Sequence, residues 1–326
     1  MDFIEASFGL LLLFLAGDLL VRGAVSAGLR LQIPAIVIGL TIVAFGTSAP
    51  ELFVTVTSSI AGSPGIAVGN VVGSNIANVL LVIGLPAILR SLGDNSQETK
   101  RNFIIMIGAT IVAMLLMVQG QTRWIDGVIL LSLLGVFLFD AYRTSMISRR
   151  EAIAKGRDVD PDHDFEEIND ADPEMPVWKI VGLIAAGLIG LPCGADLTVT
   201  AASRIAEQAG FSKEVIGLTL VAIGTSLPEL ATTVMAAVRG RADVAVGNVI
   251  GSNIFNLLCI LGVAAVLDPL IINSEFLWLN LPIMAFAAII LAPYIWLDRS
   301  VGRISGVFFT AAYVIYLILV LKPTAA

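Results

Sequence analysis

Displaced by 178 residues, the chain matches itself. Residues 39–84 lie over residues 217–262 without a gap, and 26 of the 46 positions are identical. GLTIVAFGTSAPEL overlies GLTLVAIGTSLPEL, and AVGNVVGSNIAN overlies AVGNVIGSNIFN. Any fold must therefore be built from two equivalent units. Each copy also carries a glutamate, Glu51 or Glu229, in the middle of an apolar stretch.

Those stretches are long enough to cross a bilayer. The chain is 57% hydrophobic and 14% charged, with mean hydropathy +0.93, whereas a soluble domain is nearer half apolar and a quarter charged. A span needs about 20 mainly apolar residues. Ten candidates lie near 6–28, 34–61, 65–89, 102–119, 124–143, 177–207, 212–238, 243–267, 275–294 and 302–321. The N-terminal stretch MDFIEASFGLLLLFLAGDLL has no basic n-region of a signal peptide and is read as the first span.

With five spans in each half, an odd number, the second half enters the membrane from the opposite side. The expected fold is an all-α integral membrane protein of ten transmembrane helices in two inverted five-helix repeats. Residues 1–143 form the first repeat, 144–176 an acidic cytoplasmic loop, and 177–326 the second repeat. Inverted repeats place a transporter's substrate site at the repeat interface near the midplane. Basic residues set the orientation: with the N-terminus outside, 15 of the 19 Lys and Arg lie at cytoplasmic ends and four outside. Both termini are then external.

Other function classes find little support. The net charge of −7 owes much to one segment, since ten of the 26 acids lie in residues 151–174. No basic patch points to nucleic acid. His163 is the single histidine, so neither a histidine-rich metal site nor a histidine-paired nucleophile is expected, and the chain does not read as an enzyme. The run Asp158-x-Asp160-x-Asp162 resembles the start of an EF-hand, but His163 and Asn169 stand where the turn glycine and bidentate glutamate belong. A solvated linker is the reading there. Cys193 and Cys259 fall in separate apolar segments and read as small core residues.

A carboxylate inside the membrane demands a partner, a water-filled cavity or a cation, and no lysine or arginine shares the spans of Glu51 and Glu229 at comparable depth. Thr47 and Ser48 precede Glu51 by four and three positions, on the same helical face, as Thr225 and Ser226 precede Glu229. Pro50 and Pro228 remove an N–H and clash with the carbonyls of Gly46 and Gly224, which should break the helix and expose carbonyl oxygen. Carboxylate, hydroxyl and carbonyl oxygens without sulfur or imidazole suit a hard cation such as Ca²⁺ or Na⁺. Asn70, Ser74 and Asn78 share one face of span three, as Asn248, Ser252 and Asn256 share one face of span eight. Asn70, Asn75, Asn248 and Asn253 read equally well as helix-packing groups.

GTSAPE with GNVVGSNIAN, repeated as GTSLPE with GNVIGSNIFN, resembles the alpha repeats of the cation/calcium antiporters, the sodium/calcium exchanger family. The resemblance covers the whole ten-span layout. It implies cation positions clustered at the midplane between spans two, three, seven and eight, with Glu51 and Glu229 as the carboxylates shared by Ca²⁺ and Na⁺. It implies hydroxyl and carbonyl ligands at Thr47, Ser48, Thr225 and Ser226, and carbonyl ligands at Ala44 and Ala222. Ser74 and Ser252 would flank the outer Na⁺ positions, and Asn78 and Asn256 would sit at the centre. Some relatives carry aspartate in place of Asn256, including potassium-dependent ones, so the asparagine argues against a K⁺ requirement.

The expected activity is antiport of Ca²⁺ against Na⁺ by alternating access, with proton-coupled exchange of Ca²⁺ or another divalent ion as the alternative and a passive cation channel as the rival class. No cofactor is expected beyond the transported ions, Ca²⁺ and Na⁺ or H⁺. The partners are membrane lipid and those ions, the protein acting as a monomer in a prokaryotic inner membrane. Asp18 and Asp196 are also mates at the 178-residue offset. Asp18 has Arg22 four residues on for a helical ion pair, whereas Asp196 has no such neighbour and a gating role stays open.

Overall fold

Apolar chain in a bilayer can satisfy its backbone only within helices or closed barrels, and this protein takes the helical solution. The computed structural model describes residues 2–31, 35–94, 96–154, 174–208, 222–272 and 274–321. The first half comprises α1 (Asp2–Leu31), α2 (Gly39–Thr47), α3 (Ala49–Ile60), α4 (Pro64–Leu89), α5 (Gln97–Met117) and α6 (Trp124–Ala154). The second half repeats the order with α7 (Val177–Gln208), α8 (Ala222–Thr225), α9 (Leu227–Val238), α10 (Ala242–Leu267), α11 (Ser274–Ile289), the short α12 (Ala292–Trp296) and α13 (Arg303–Leu321).

Among the described residues, eight helices are long and apolar enough to cross a membrane, and α2 with α3 makes a ninth passage bent by 48°. The passage expected at 212–238 falls partly on residues 209–221, outside the described ones. From Ala222 onward it shows the same short helix, break and 12-residue helix as its counterpart. One boundary differs from expectation: α6 continues to Ala154, although its apolar window ends at Thr144. The residues beyond Thr144 include strong helix formers such as Arg, Glu and Ala, which carry the helix on after it leaves the apolar slab. The acidic run with His163 lies outside the described residues.

The two central helices are α4 and α10, whose spanning windows are 78% and 83% buried. They anchor one large apolar cluster with α5, α6, α11 and α13. Each end of this core is stitched by a connection between halves. Leu92 pairs with Val301 on one side, and β1 (Gln121–Thr122) pairs antiparallel with β2 (Leu270–Ile271) on the other. Leu92 and Leu270 are mates at the 178-residue offset, so the two stitches are copies of one device.

By contrast, α1 and α7 pack on each other along their length, and much of their apolar burial falls in a separate cluster around Leu13, Leu20, Leu191 and Ala195. Small residues let the two backbones touch: a Cβ added at Gly194 would lie 2.9 Å from the Leu13 nitrogen and 3.0 Å from the Gly9 oxygen. Arg204 of α7 pairs with Asp2 and Glu5 of α1 at one end. At the other, Arg30 donates to the Met175 carbonyl at 2.9 Å. Cys193, read from sequence as a core residue, is exposed, because α7 buries the face that carries Gly187, Leu191 and Gly194. Cys259 is partly buried, and both cysteines are free.

The seam predicts an asymmetry between glycines of one helix. Gly194→Val should destabilise the protein by about 1–3 kcal/mol, as overpacking does. Gly182→Ala, at an exposed helical position with nothing within 4 Å, should stabilise it slightly, by at most about 1 kcal/mol. Thermal unfolding in detergent checks both, and equal unfolding temperatures for the two variants would contradict the seam.

Candidate cation-binding site

The sequences SAPE and SLPE have the form of a helix start, with a serine at the N-cap, proline in the first turn and glutamate three residues on. The structure uses them so in mid-span. Ser48 leaves helical geometry at φ −83° and ψ 6°, and Ser226 does so at φ −88° and ψ 3°. Pro50 and Pro228 supply no N–H to the preceding turn, so the expected breaks occur. Leu188 and Val199, both of α7, occupy the space that a side chain would need at Gly46 and Gly224. α7 thus covers both breaks.

Neither serine caps its own helix. Ser48 Oγ instead donates to Glu229 Oε1 at 2.9 Å, across the two halves, and Ser226 stands beside Glu51 in the matching place. Both carboxylates are fully buried, at 1% and 0% exposure. Each also sits in the first turn of a helix, α3 or α9, where unpaired N–H groups and the helix dipole favour negative charge.

A second pair of contacts crosses between the halves. Asn248 Nδ2 donates to the Glu229 carbonyl at 3.4 Å and to Thr232 and Thr233 hydroxyls at 3.2 and 3.0 Å. Its Oδ1 accepts from Thr47 at 3.4 Å. Asn70 repeats the pattern, donating to the Glu51 carbonyl at 3.2 Å and to Thr55 at 2.9 Å, while its Oδ1 accepts from Thr225 at 3.4 Å. Each asparagine therefore braces the glutamate helix of its own half and accepts from the threonine of the other. Of the two sequence readings for Asn70 and Asn248, the bracing one describes their contacts.

The central helices add one more repeated feature. α4 widens to π geometry at Asn78–Ile83 and α10 at Asn256–Ile260, each beginning at the repeated asparagine. Such bulges concentrate at functional sites. The first packs against α9 and the second against α3, so each asparagine segment lies against the glutamate helix of the other half.

Ten of the twelve residues singled out in the sequence are buried polar side chains, from Glu229 and Asn256 at 0% exposure to Thr225 at 7%. Many of their atoms have no protein partner. Both Glu51 carboxylate oxygens, Glu229 Oε2, the hydroxyls of Ser74, Ser226 and Ser252, Asn78 Oδ1 and both amide atoms of Asn256 are buried without one. Orphaned buried polar atoms are rare and costly, and here they gather on the repeated motifs. Among the described residues no group of three His, Cys, Asp or Glu side chains comes together, so the formal charge is that of two carboxylates among neutral oxygens.

The two alanines differ. The Ala44 carbonyl accepts from Ser48 N at 3.0 Å and from Thr47 Oγ1 at 3.3 Å. In the other half Ser226 N turns to Ile223 O at 3.1 Å, leaving the Ala222 carbonyl outside that bond. Asp18 pairs with Arg22 at 3.9 Å, as the spacing required, and also with Arg239 at the end of α9, which the sequence did not disclose. Asp196 is exposed on α7. Sequence reasoning also missed Met106, whose sulfur accepts from Asn253. Its signal was present, because Asn102 and Met106 recur as Asn280 and Met284 at the same 178-residue offset.

The profile of the sodium/calcium exchanger protein family matches residues 6–142 and 179–322. The sodium/calcium exchanger MaX1 of Methanosarcina acetivorans is 31% identical over 341 residues, covering 97% of each chain. Inner membrane protein YrbG of Escherichia coli is 34% identical over 310 residues, covering 95% of this chain and 93% of its own. Among solved structures, the sodium-calcium exchanger NCX_Mj soaked with zero Na⁺ and Ca²⁺ superposes with a TM-score of 0.81 at 31% identity, over 98% of both chains. With a family match over most of its length and full-length relatives above 30% identity, the chain belongs to the sodium/calcium exchanger protein family.

Proposed function

We propose that the protein is a secondary active antiporter that exchanges Ca²⁺ for Na⁺ by alternating access. The carrying observation is the burial of Glu51 and Glu229 at 1% and 0% exposure, with three of their four carboxylate oxygens lacking a protein partner. The names of the full-length relatives agree with it. Glu51, Glu229, Ser48, Ser226, Ser74, Ser252, Asn78 and Asn256 present side-chain oxygen to the cations. Thr47 and Thr225 contribute hydroxyl or carbonyl oxygen, and Ala44 and Ala222 carbonyl oxygen. The protein works as a monomer in a prokaryotic inner membrane, with both termini outside and residues 144–176 in the cytoplasm, the side that holds 15 of the 19 basic residues.

Exchange follows from charge. One Ca²⁺ or two Na⁺ neutralise two carboxylates, and a third Na⁺ would leave the loaded site positive, so that turnover moves net charge. An empty site holds two uncompensated charges in the membrane interior, an expensive arrangement. The carrier therefore reorients with cations aboard and resists doing so without them. Sodium is favoured over protons as the coupling ion because protons neutralise carboxylates without any need for the neutral oxygens gathered around them.

In proteoliposomes, Ca²⁺ uptake should follow an outward Na⁺ gradient and be absent from vesicles preloaded with K⁺ or with acid. Uptake driven by acid alone would transfer the coupling to protons. Glu51→Gln should lower Na⁺-driven uptake at least about 100-fold, the scale of breaking a buried charge arrangement. Unchanged uptake would remove the carboxylates from the mechanism. Thr47→Val and Thr225→Val each strand one asparagine oxygen and should each cost about tenfold in kcat/KM.

A further inference from the structure

At the centre of the molecule the two halves match in sequence but differ in hydrogen bonding. Asn75 and Asn253 are mates at the 178-residue offset, as are Asn78 and Asn256, and Met106 and Met284. All six side chains are buried. In one set the amides are joined in series. Asn78 Nδ2 donates to Asn253 Oδ1 at 3.1 Å, and Asn253 Nδ2 donates to Met106 Sδ at 3.6 Å. In the other set the series is absent. Asn75 Nδ2 folds back onto the Val71 carbonyl of its own helix at 2.7 Å, while Asn75 Oδ1 and both amide atoms of Asn256 have no partner.

The oxygen and nitrogen of a primary amide lie in one plane and point to opposite sides of the Cβ–Cγ axis. Holding Asn78 Nδ2 against Asn253 therefore turns Asn78 Oδ1 the other way. That oxygen is buried with no protein partner, on a π-helical segment packed against the helix of Glu229. The thioether of Met106 is a weak acceptor, but its bond takes up the donor side of Asn253 and so leaves Asn253 Oδ1 directed at Asn78. The chain of contacts begins on α5, which contributes none of the oxygens around the carboxylates. Asn256, with neither amide atom engaged, has no such constraint on which of them it presents.

Building on the cation-exchange reading, we propose that Met106 and Asn253 are positioning residues that hold the carbonyl oxygen of Asn78 toward the transported cation, while its repeat mate Asn256 is left free to turn. The site is then asymmetric despite its duplicated origin, with a fixed oxygen from one half and an adjustable amide from the other.

Matched substitutions in the two halves test this. Met106→Leu removes the sulfur acceptor at nearly constant volume, a swap that cores tolerate. Met284→Leu is the same change at the repeat mate, and Met106→Gln restores an acceptor of the same reach. In Na⁺-loaded proteoliposomes, Met106→Leu should raise KM for Ca²⁺ about three- to tenfold with kcat within about twofold, the scale of one hydrogen bond. Met106→Gln should return KM to near the wild-type value, and Met284→Leu should leave it unshifted. Equal KM shifts in both leucine variants, no shift in Met106→Leu, or no rescue by glutamine would each overturn the proposal. Glu51→Gln run alongside separates the two levels: if that variant still exchanges Ca²⁺ for Na⁺, the exchange site itself is misassigned, whatever the methionine variants do.

Discussion

Two carboxylates at the centre of a bilayer are the constraint around which this molecule is arranged. Among the described residues neither pairs with a lysine or arginine, and hydrocarbon offers no water. The surrounding features all soften that burden. Two helices break so that each glutamate sits in a first turn, where the dipole is favourable. Serines that would cap those helices are redirected, Ser48 onto the opposite carboxylate. Two asparagines brace the broken helices from behind. On the proposed exchange, a bound cation would meet the remaining demand.

The packing divides along mechanical lines. α4 and α10 with their flanking helices form one apolar body, while α1 and α7 form a pair bolted by Arg204 at one end and by Arg30 at the other. The pair meets the core over small residues, with Gly17 against the backbone of Ala231, and through the ionic contact of Asp18 with Arg239. Leu188 and Val199 of α7 lie over the two helix breaks.

Most of this was legible before the structure. The offset of 178 residues gave two units, and the proline and glycine positions gave the breaks at Ser48 and Ser226. These signals are local or periodic, so they survive in one dimension. The crossed bonds were not legible, because Thr47 and Asn248 lie 201 residues apart and nothing in either neighbourhood names the other. Arg239 as a partner of Asp18 was hidden in the same way behind the nearer Arg22. The asymmetry between Asn78 and Asn256 was beyond reach for a stronger reason: identical motifs predict identical environments, and only the packed neighbours make them differ. The exposure of Cys193 likewise depends on which face of α7 meets α1.

The crossed bonds also set a timetable. Thr47, Ser48 and Asn70 each have one partner in residues 225–248, so the first half enters the membrane with those bonds still unmade. At about 5–20 residues per second, the 178 residues separating Glu51 from Glu229 take roughly 10–40 s to synthesise. For that interval the growing chain must shelter a half-built centre beside the insertion machinery.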